Sequence, residues 1–303
     1  MASIASGSQG PQVAQVQQAL IQQGFLTGPA DGVFGPETLG AVIAFQKSKG
    51  LAADGLVGPQ TWAALFPDGP AFPLDGGLNS FAKGIDVSHY QGTVNWGGVR
   101  KAGIMFTFIK ATEGTALTDE TFQANWQGAL AAGVRRGAYH FYRPQYTGVS
   151  QAEYFLQTLG SLQNGDLPPV LDAEEIPAGT GQVPWSTDSS ANAAQIQDFL
   201  TAVEKGLGVQ PMIYSTASFF QDVMGSTTQF GGYPLWVAKY PTDNPVSLQD
   251  PVPPYPPTIL PSGWTSWNFW QYTQNGTIPG LFDSNQPVDL DLFNGTPVQF
   301  QKF

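Results

Sequence analysis

Two acids separated by one residue at the end of an apolar run, Leu167-Pro168-Pro169-Val170-Leu171-Asp172-Ala173-Glu174-Glu175, are the side chains of this sequence best placed to do chemistry. The run reads as a buried strand, and side chains alternate along a strand, so Asp172 and Glu174 share one face and emerge together at a rim. Two carboxylates held side by side cannot both ionise freely. One keeps its proton to higher pH while the other stays charged, which is an acid/base arrangement. A lone Asp-x-Glu at a strand end can also simply meet solvent, so the pair gains meaning only if other elements bring further groups to it. Glu175 points to the opposite face and is expected to stand outside the chemistry.

The elements that must position the pair can be read from residue 81 onward. Short apolar strands are expected over residues 84–89, 105–111, 137–142, 169–174 and 211–215, with helical patterns near 94–102, 121–132, 150–159 and 189–207. Strand and helix in alternation imply a parallel sheet covered by helices. After residue 216 the pattern changes to strands over 235–240, 269–273 and 288–293, separated by Pro-rich or Gly-rich loops with little helix. Five βα units followed by three further strands make an α/β fold, a distorted TIM-like barrel of eight strands. Active sites of such barrels lie at the C-terminal ends of the strands. Asp86 lies in the first strand, Asp172 and Glu174 end the fourth, and Asp289 falls in the eighth, beside the first once the barrel closes. Glu113, just past the second strand, adds a fifth acid. A cluster this acidic is costly unless it is used.

Composition excludes several classes of function. The net charge is −11 and only 12% of residues are charged, with 42% hydrophobic and 13% aromatic, a folded protein with a weakly charged polar surface. A nucleic-acid partner is not expected, because neutralising phosphates takes a basic face. No apolar run reaches membrane-spanning length, so no membrane partner is expected either. The absence of cysteine rules out disulfides and thiolate zinc sites, and His89 and His140 alone do not make a His-rich zinc centre. No cofactor and no metal are expected, and the protein is expected to be a monomer. The start, Met1-Ala2-Ser3-Ile4-Ala5-Ser6-Gly7, lacks the basic and apolar regions of a signal peptide. Export, if it happens, would then follow another route, or the protein would leave the cytoplasm by lysis.

The first seventy residues carry a repeat, Ala30-Asp31-Gly32-Val33-Phe34-Gly35-Pro36-Glu37-Thr38 and Ala53-Asp54-Gly55-Leu56-Val57-Gly58-Pro59-Gln60-Thr61. Asp-Gly suits a turn and Gly-Pro suits a helix start, where a proline costs no hydrogen bond. Helical spacing of Val13, Val16, Leu20 and Ile21, then of Leu39, Val42, Ile43 and Phe45-Gln46, and a short last helix from Thr61 to Phe66 complete a three-helix unit. Residues 1–67 are read as this small domain, 68–80 as a Pro/Gly-rich linker, and 81–303 as the barrel. The repeat resembles the peptidoglycan-binding domain 1 family over about residues 8–67, which implies attachment to bacterial cell wall.

The larger region resembles glycoside hydrolase family 25. The successive motifs are Gly84-Ile85-Asp86-Val87-Ser88-His89-Tyr90-Gln91-Gly92, Ile109-Lys110-Ala111-Thr112-Glu113-Gly114, Gly137-Ala138-Tyr139-His140-Phe141, Val170-Leu171-Asp172-Ala173-Glu174, Leu235-Trp236-Val237-Ala238-Lys239-Tyr240, Trp270-Gln271-Tyr272 and Val288-Asp289-Leu290. The resemblance implies N-acetylmuramidase cleavage of peptidoglycan, with Glu174 as the catalytic acid, Asp172 as its partner carboxylate, and Asp86 and Asp289 as flanking aspartates. It is departed from at Asp291, where the family often has Asn. Asp172 would stay ionised and either orient the substrate's N-acetyl group or stabilise oxocarbenium charge. Residues two apart on a strand are about 6.5 Å apart in Cα, between the roughly 5 to 5.5 Å of retaining and the 6.5 Å upward of inverting carboxyl pairs. Spacing leaves the stereochemistry open; the resemblance implies retention with N-acetyl assistance.

Tyr139, Tyr214, Trp236 and the Trp264–Trp270 stretch are expected to be sugar platforms, with Glu113 and Gln271 also assigned to substrate binding. Phe106 and Phe108 are expected to be core, and His89 and His140 structural. A chitinase-type D-x-x-D-x-D-x-E signature would need acids at Leu167 and Val170 and is absent. The competing function is a catalytically silent peptidoglycan-binding protein.

Overall fold

The structure is a computed structural model that describes residues 4–8, 10–67, 81–176, 179, 181–240, 257, 259–278, 282 and 287–303. The expected linker, 68–80, lies outside the described residues. The chain divides into two compact units, one built on Met1–Phe81 and one on Ala82–Asp250 with Pro257–Phe293.

The first unit holds α1 (Pro11–Gln22), α2 (Pro36–Ser48) and α3 (Pro59–Leu65). Val16, Leu20, Phe34, Val42, Phe45, Val57 and Trp62 fill its core. The repeated Asp-Gly turns are built alike around one glutamine each. Gln17 shares its amide protons among Asp31 Oδ1 (2.7 Å), the Val33 carbonyl (3.0 Å) and Thr38 Oγ1 (3.0 Å), and its Oε1 accepts from Gly32 N (2.7 Å). Gln46 does the same with Asp54 (2.9 Å), the Leu56 carbonyl (2.9 Å), Thr61 (3.1 Å) and Gly55 N (2.9 Å). Gly32 and Gly55 sit at φ of 74° and 73°, a left-handed conformation that glycine adopts without strain. The buried amides thus hold the two turns from inside, each satisfying a turn aspartate, a turn carbonyl, a turn N–H and the threonine that follows.

The second unit is an eight-stranded barrel: β1 (Lys83–Val87), β2 (Ile104–Glu113), β4 (Arg135–Phe141), β5 (Val170–Asp172), β6 (Met212–Ser215), β7 (Leu235–Ala238), β8 (Phe269–Gly276) and β9 (Val288–Phe293), with a two-residue strand β3 (Leu117–Thr118) paired to the edge of β2. Neighbours run in the order β1-β9-β8-β7-β6-β5-β4-β2, and β1 pairs with β2 to close the ring. Every pair in the ring is parallel except those of β9, which is antiparallel to both β1 and β8. α4 (Trp96–Lys101), α5 (Phe122–Ala131), α6 (Gly148–Leu159), α7 (Ser189–Leu207) and α8 (Ala217–Asp222) each follow one of the first five barrel strands. This is the expected architecture of five βα units and three further strands. α8 is the fifth covering helix, in a region expected to hold little helix.

Two details position the site. β9 runs against its neighbours, so its first residues reach the rim where the parallel strands end, and Asp289 stands opposite Asp86 in the register. Inside the barrel, Phe106 and Phe108 are fully buried, as expected of core. Their rings take the space of two absent side chains: a Cβ on Gly84 would lie 2.1 Å from Phe106, and one on Gly137 would lie 2.6 Å from Phe108. Phe108 in turn stacks on Trp236 of β7, with centroids 4.3 Å apart.

Candidate active site

A cleft of about 340 Å3 opens at the rim, and Asp86, Asp172, Glu174 and Asp289 all line it. Regular pairing of β5 stops at Asp172, sooner than the sequence pattern implies, and Glu174 follows just beyond. Its backbone carbonyl accepts a hydrogen bond from Trp185 Nε1 at 2.8 Å, which fixes the residue after strand pairing has ended. Trp185 in turn stacks on Tyr142, with centroids 5.2 Å apart and planes at 11°.

Burial dominates the electrostatics. It pushes Glu174 up to about 7, partly opposed by Lys110 and Arg143. It also raises Asp172 well above the usual carboxylate range, and the neighbouring Glu174 charge adds to that. Because the two carboxyls are neighbours buried together, they titrate as a pair rather than as independent acids. Asp172 Oδ1 is buried and has no hydrogen-bond partner among the described residues.

Across the cleft, Asp86, Asp289 and Asp291 form a second acid cluster. Burial raises all three, Asp289 to about 9. Asp86 Oδ2 accepts from Gln271 Nε2 at 2.8 Å, and Asp291 Oδ1 accepts from Trp236 Nε1 at 2.9 Å. Asp291 Oδ2 meets no N–H or hydroxyl donor among the described residues. Its carboxyl neighbour Asp86 becomes a hydrogen-bond partner only when one of the two carries a proton, so burial and crowding on this wall favour the protonated forms.

The other sequence assignments divide. Tyr139, Tyr214, Trp236 and Gln271 all line the cleft. Gln271, though, is committed to its neighbours: Oε1 accepts from Tyr214 Oη (2.8 Å) and Tyr240 Oη (2.7 Å) while Nε2 serves Asp86. It ties three walls of the cleft together, and it stands among the residues that line the cleft. Trp236 is only 2% exposed and stacks on Phe108 at 4.3 Å, so it presents an edge rather than a platform. Glu113, assigned to substrate binding, is not among the residues that line the cleft; it pairs with Lys110 Nζ (2.7 Å), which does line it, and with Arg143 Nε (2.8 Å). The Trp264–Trp270 stretch is core: Trp264, Trp267 and Trp270 are buried, and Trp264 and Trp270 spend their indole N–H groups on the carbonyls of Tyr233 and Lys239.

His140 is fully buried between Thr112 Oγ1 and Gln151 Oε1, and burial lowers it to about 4. It is neutral and structural. His89 contacts Asp119 at 2.9 Å through Nδ1. Glu175 is exposed but not remote: with Glu174 it lines an adjoining cavity of about 520 Å3.

Three participants escaped the sequence reading. Tyr90, 64% exposed at the cleft edge, is the ring most available to a sugar face. Trp185 carried no motif. Lys110 lines the cleft, and its signal was present, because Phe106, Phe108 and Lys110 alternate on one face of β2 and the third continues the two core rings upward. Among the described residues no group of acids and histidines has the arrangement of a metal site.

Comparison with known proteins accords with this geometry. The profile of the glycosyl hydrolases family 25 matches residues 85–281, and that of a peptidoglycan binding domain matches residues 9–65. Lysozyme M1 of Streptomyces globisporus is 38% identical over 221 residues, covering 72% of this chain and 69% of that protein. The crystal structure of a bacterial lysozyme from Streptomyces coelicolor superposes with a TM-score of 0.63 at 36% identity, over 74% of this chain and 96% of that one. A family GH25 lysozyme from Aspergillus fumigatus gives 0.61 at 33% identity, over 74% and 98%. With its four acids brought to one rim by β1, β5 and β9, the chain belongs to glycosyl hydrolases family 25.

Proposed function

We propose that this protein hydrolyses the β-1,4 bond between N-acetylmuramic acid and N-acetylglucosamine in bacterial peptidoglycan, with Glu174 as proton donor and Asp172 as its charged partner. One observation carries the reading: a carboxyl pair in an open cleft, one member raised to about 7 and the other with an unfilled buried oxygen. A general acid must still hold its proton near working pH, and Glu174 does. An unfilled acceptor beside it suits the N–H of an acetamido group. Binding that N–H stabilises negative charge on Asp172 and leaves the shared proton on Glu174.

The steps follow. Glu174 gives its proton to the glycosidic oxygen, the acetamido carbonyl oxygen bonds to the anomeric carbon, and the carbon–oxygen bond to the leaving sugar breaks. Asp172 accepts the N–H hydrogen bond as positive charge spreads over the acetamido group. Glu174, now a carboxylate, takes a proton from water, whose oxygen attacks the same carbon and reopens the ring, giving net retention. Asp86 and Asp289, whose burial favours the protonated form, offer hydrogen bonds to sugar hydroxyls, and Tyr90 and Tyr139 offer aromatic surface. The small N-terminal unit holds the enzyme to the wall and raises the local concentration of glycan. The site is complete within one chain, which supports a monomer acting at the bacterial cell wall.

Mass spectrometry of digests of purified peptidoglycan tests the bond cleaved. Products ending in reducing N-acetylmuramic acid are expected from the wild type and none from Glu174→Gln, with wall binding retained. Full activity in Glu174→Gln would overturn the assignment of the acid. Proton NMR of the first product reads the stereochemistry, and initial release of the inverted anomer would exclude the N-acetyl route.

A further inference from the structure

The motif Ile109-Lys110-Ala111-Thr112-Glu113 places a buried ion network directly behind the catalytic pair. Lys110 Nζ meets Glu113 Oε2 at 2.7 Å, Arg143 Nε meets Glu113 Oε1 at 2.8 Å, and Arg143 Nη2 donates to the same oxygen. The three side chains are only 10%, 12% and 18% exposed. Both cations also lie over the Phe141 ring, Lys110 at 5.1 Å and Arg143 at 4.6 Å from its centroid, and Arg143 Nη1 donates to Gln182. A surface pair would be loosely held and screened. This one is fixed on three sides, and Lys110 lines the cleft together with Asp172 and Glu174.

Counting charge explains why two cations share one acid. Lys110 and Arg143 contribute +2 and Glu113 contributes −1, leaving +1 against the carboxyl pair. The wall is then neutral when the pair holds one proton. It is negative when the pair holds none, and positive when it holds two. One proton on two carboxyls is the state that hydrolysis needs. We propose that Lys110 and Arg143, pinned by Glu113, are positioning residues that make the singly protonated Asp172–Glu174 pair the electroneutral and therefore preferred state of the cleft.

The remaining groups facing the pair do not supply this balance. Burial disfavours charge on Asp86 and Asp289 across the cleft, and it likewise raises the phenols of Tyr139, Tyr214 and Tyr240. Glu175 adds a negative charge on the outer side of Glu174, which pushes Glu174 up. Lys110 and Arg143 are the cations that favour the ionised form of both Asp172 and Glu174, against the effect of burial.

The inference rests on Glu174 being the acid, and the test separates the two. The pH dependence of kcat/KM for reducing-end release is measured for wild type, Lys110→Met, Lys110→Arg and Glu113→Gln. Its two limbs report the loss of the first and second protons of the pair. Removing the positive charge in Lys110→Met is expected to move both limbs up by about one pH unit, the lower end of the effect of a neighbouring opposite charge. Removing the negative charge in Glu113→Gln is expected to move both limbs down, and Lys110→Arg to leave them in place. If Lys110→Met fails to fold, the downward movement in Glu113→Gln against a stationary Lys110→Arg still decides. Limbs that stay fixed while the rate falls, or that move the same way in Lys110→Met and Glu113→Gln, would overturn the proposal. Undiminished activity in Glu174→Gln would instead remove the functional reading beneath it.

Discussion

Replacing Glu174 by Gln is expected to make the protein more stable at alkaline pH while removing its activity. The ordinary value for a glutamate is 4.5, and burial raises Glu174 to about 7. Below pH 4.5 the carboxyl is protonated in the folded and the unfolded chain, so its ionisation costs folding nothing. Between 4.5 and 7 the folded chain binds more protons than the unfolded one, and stability falls as pH rises. Above 7 the loss is complete. At about 1.4 kcal/mol per pH unit, the gap from 4.5 to about 7 amounts to about 3 kcal/mol. Glutamine keeps the size of the side chain and has no charge to bury, so the variant escapes this cost. Relief of the Asp172 charge acts in the same direction. Wild type and variant should therefore be about equally stable at pH 4.5. At pH 8 the variant should be ahead by about 3 kcal/mol, which for a domain of this size is about 6 to 12 °C in Tm. Every tryptophan except Trp62 lies between residues 82 and 293, so urea denaturation followed by tryptophan fluorescence reports mainly the barrel. The expected signature is a midpoint that rises at pH 8 with an unchanged slope. An equal difference at both pH values, or none at pH 8, would refute the claim that burial of this carboxyl is what raises it.

Asp291→Asn should keep most of the activity, because an amide oxygen still accepts from Trp236 Nε1 and the amide N–H can donate to Asp86 in place of the trapped proton. Asp291→Leu leaves both partners unsatisfied, at a cost of about 2 to 4 kcal/mol, and steady-state kinetics with thermal melts on the two variants would expose an error if they were equally damaged. In the N-terminal unit, Gln46→Leu strands the Asp54 turn by removing its bonds to Asp54, Leu56, Thr61 and Gly55. A loss of about 2 to 4 kcal/mol in that unit is expected, together with weaker sedimentation with cell walls, and a stability unchanged in urea would show the amide to be dispensable.

Much of the fold was legible because its determinants are local. Period-two apolar segments such as 105–111 became β2, and the repeated Asp-Gly turns became helix starts with glycine in the left-handed region. The four acids converged because each sits near the rim end of its strand and β9 returns antiparallel beside β1. What the sequence left open also has a physical pattern. Trp264, Trp267 and Trp270 read as platforms because aromatic content marks both sugar sites and cores, and it is their burial, with the carbonyls that Trp264 and Trp270 donate to, that places them in the core. Gln271 stood in the right motif, but its amide was taken by Tyr214, Tyr240 and Asp86, residues as far as 185 positions away.

The sequence by itself determined which carboxyls meet, since alternation and strand order decide that. Only the tertiary structure decided where their protons reside. Proton affinity depends on burial and on charges within a few ångströms, and those neighbours come from different strands. Asp291 lies under Trp236 and beside Asp86, while Lys110 and Arg143 stand over Phe141 and share Glu113. The same residue types strung along an open chain would titrate as ordinary acids. Packed into one cleft, they divide into a wall where burial disfavours charge and a pair that can transfer a proton.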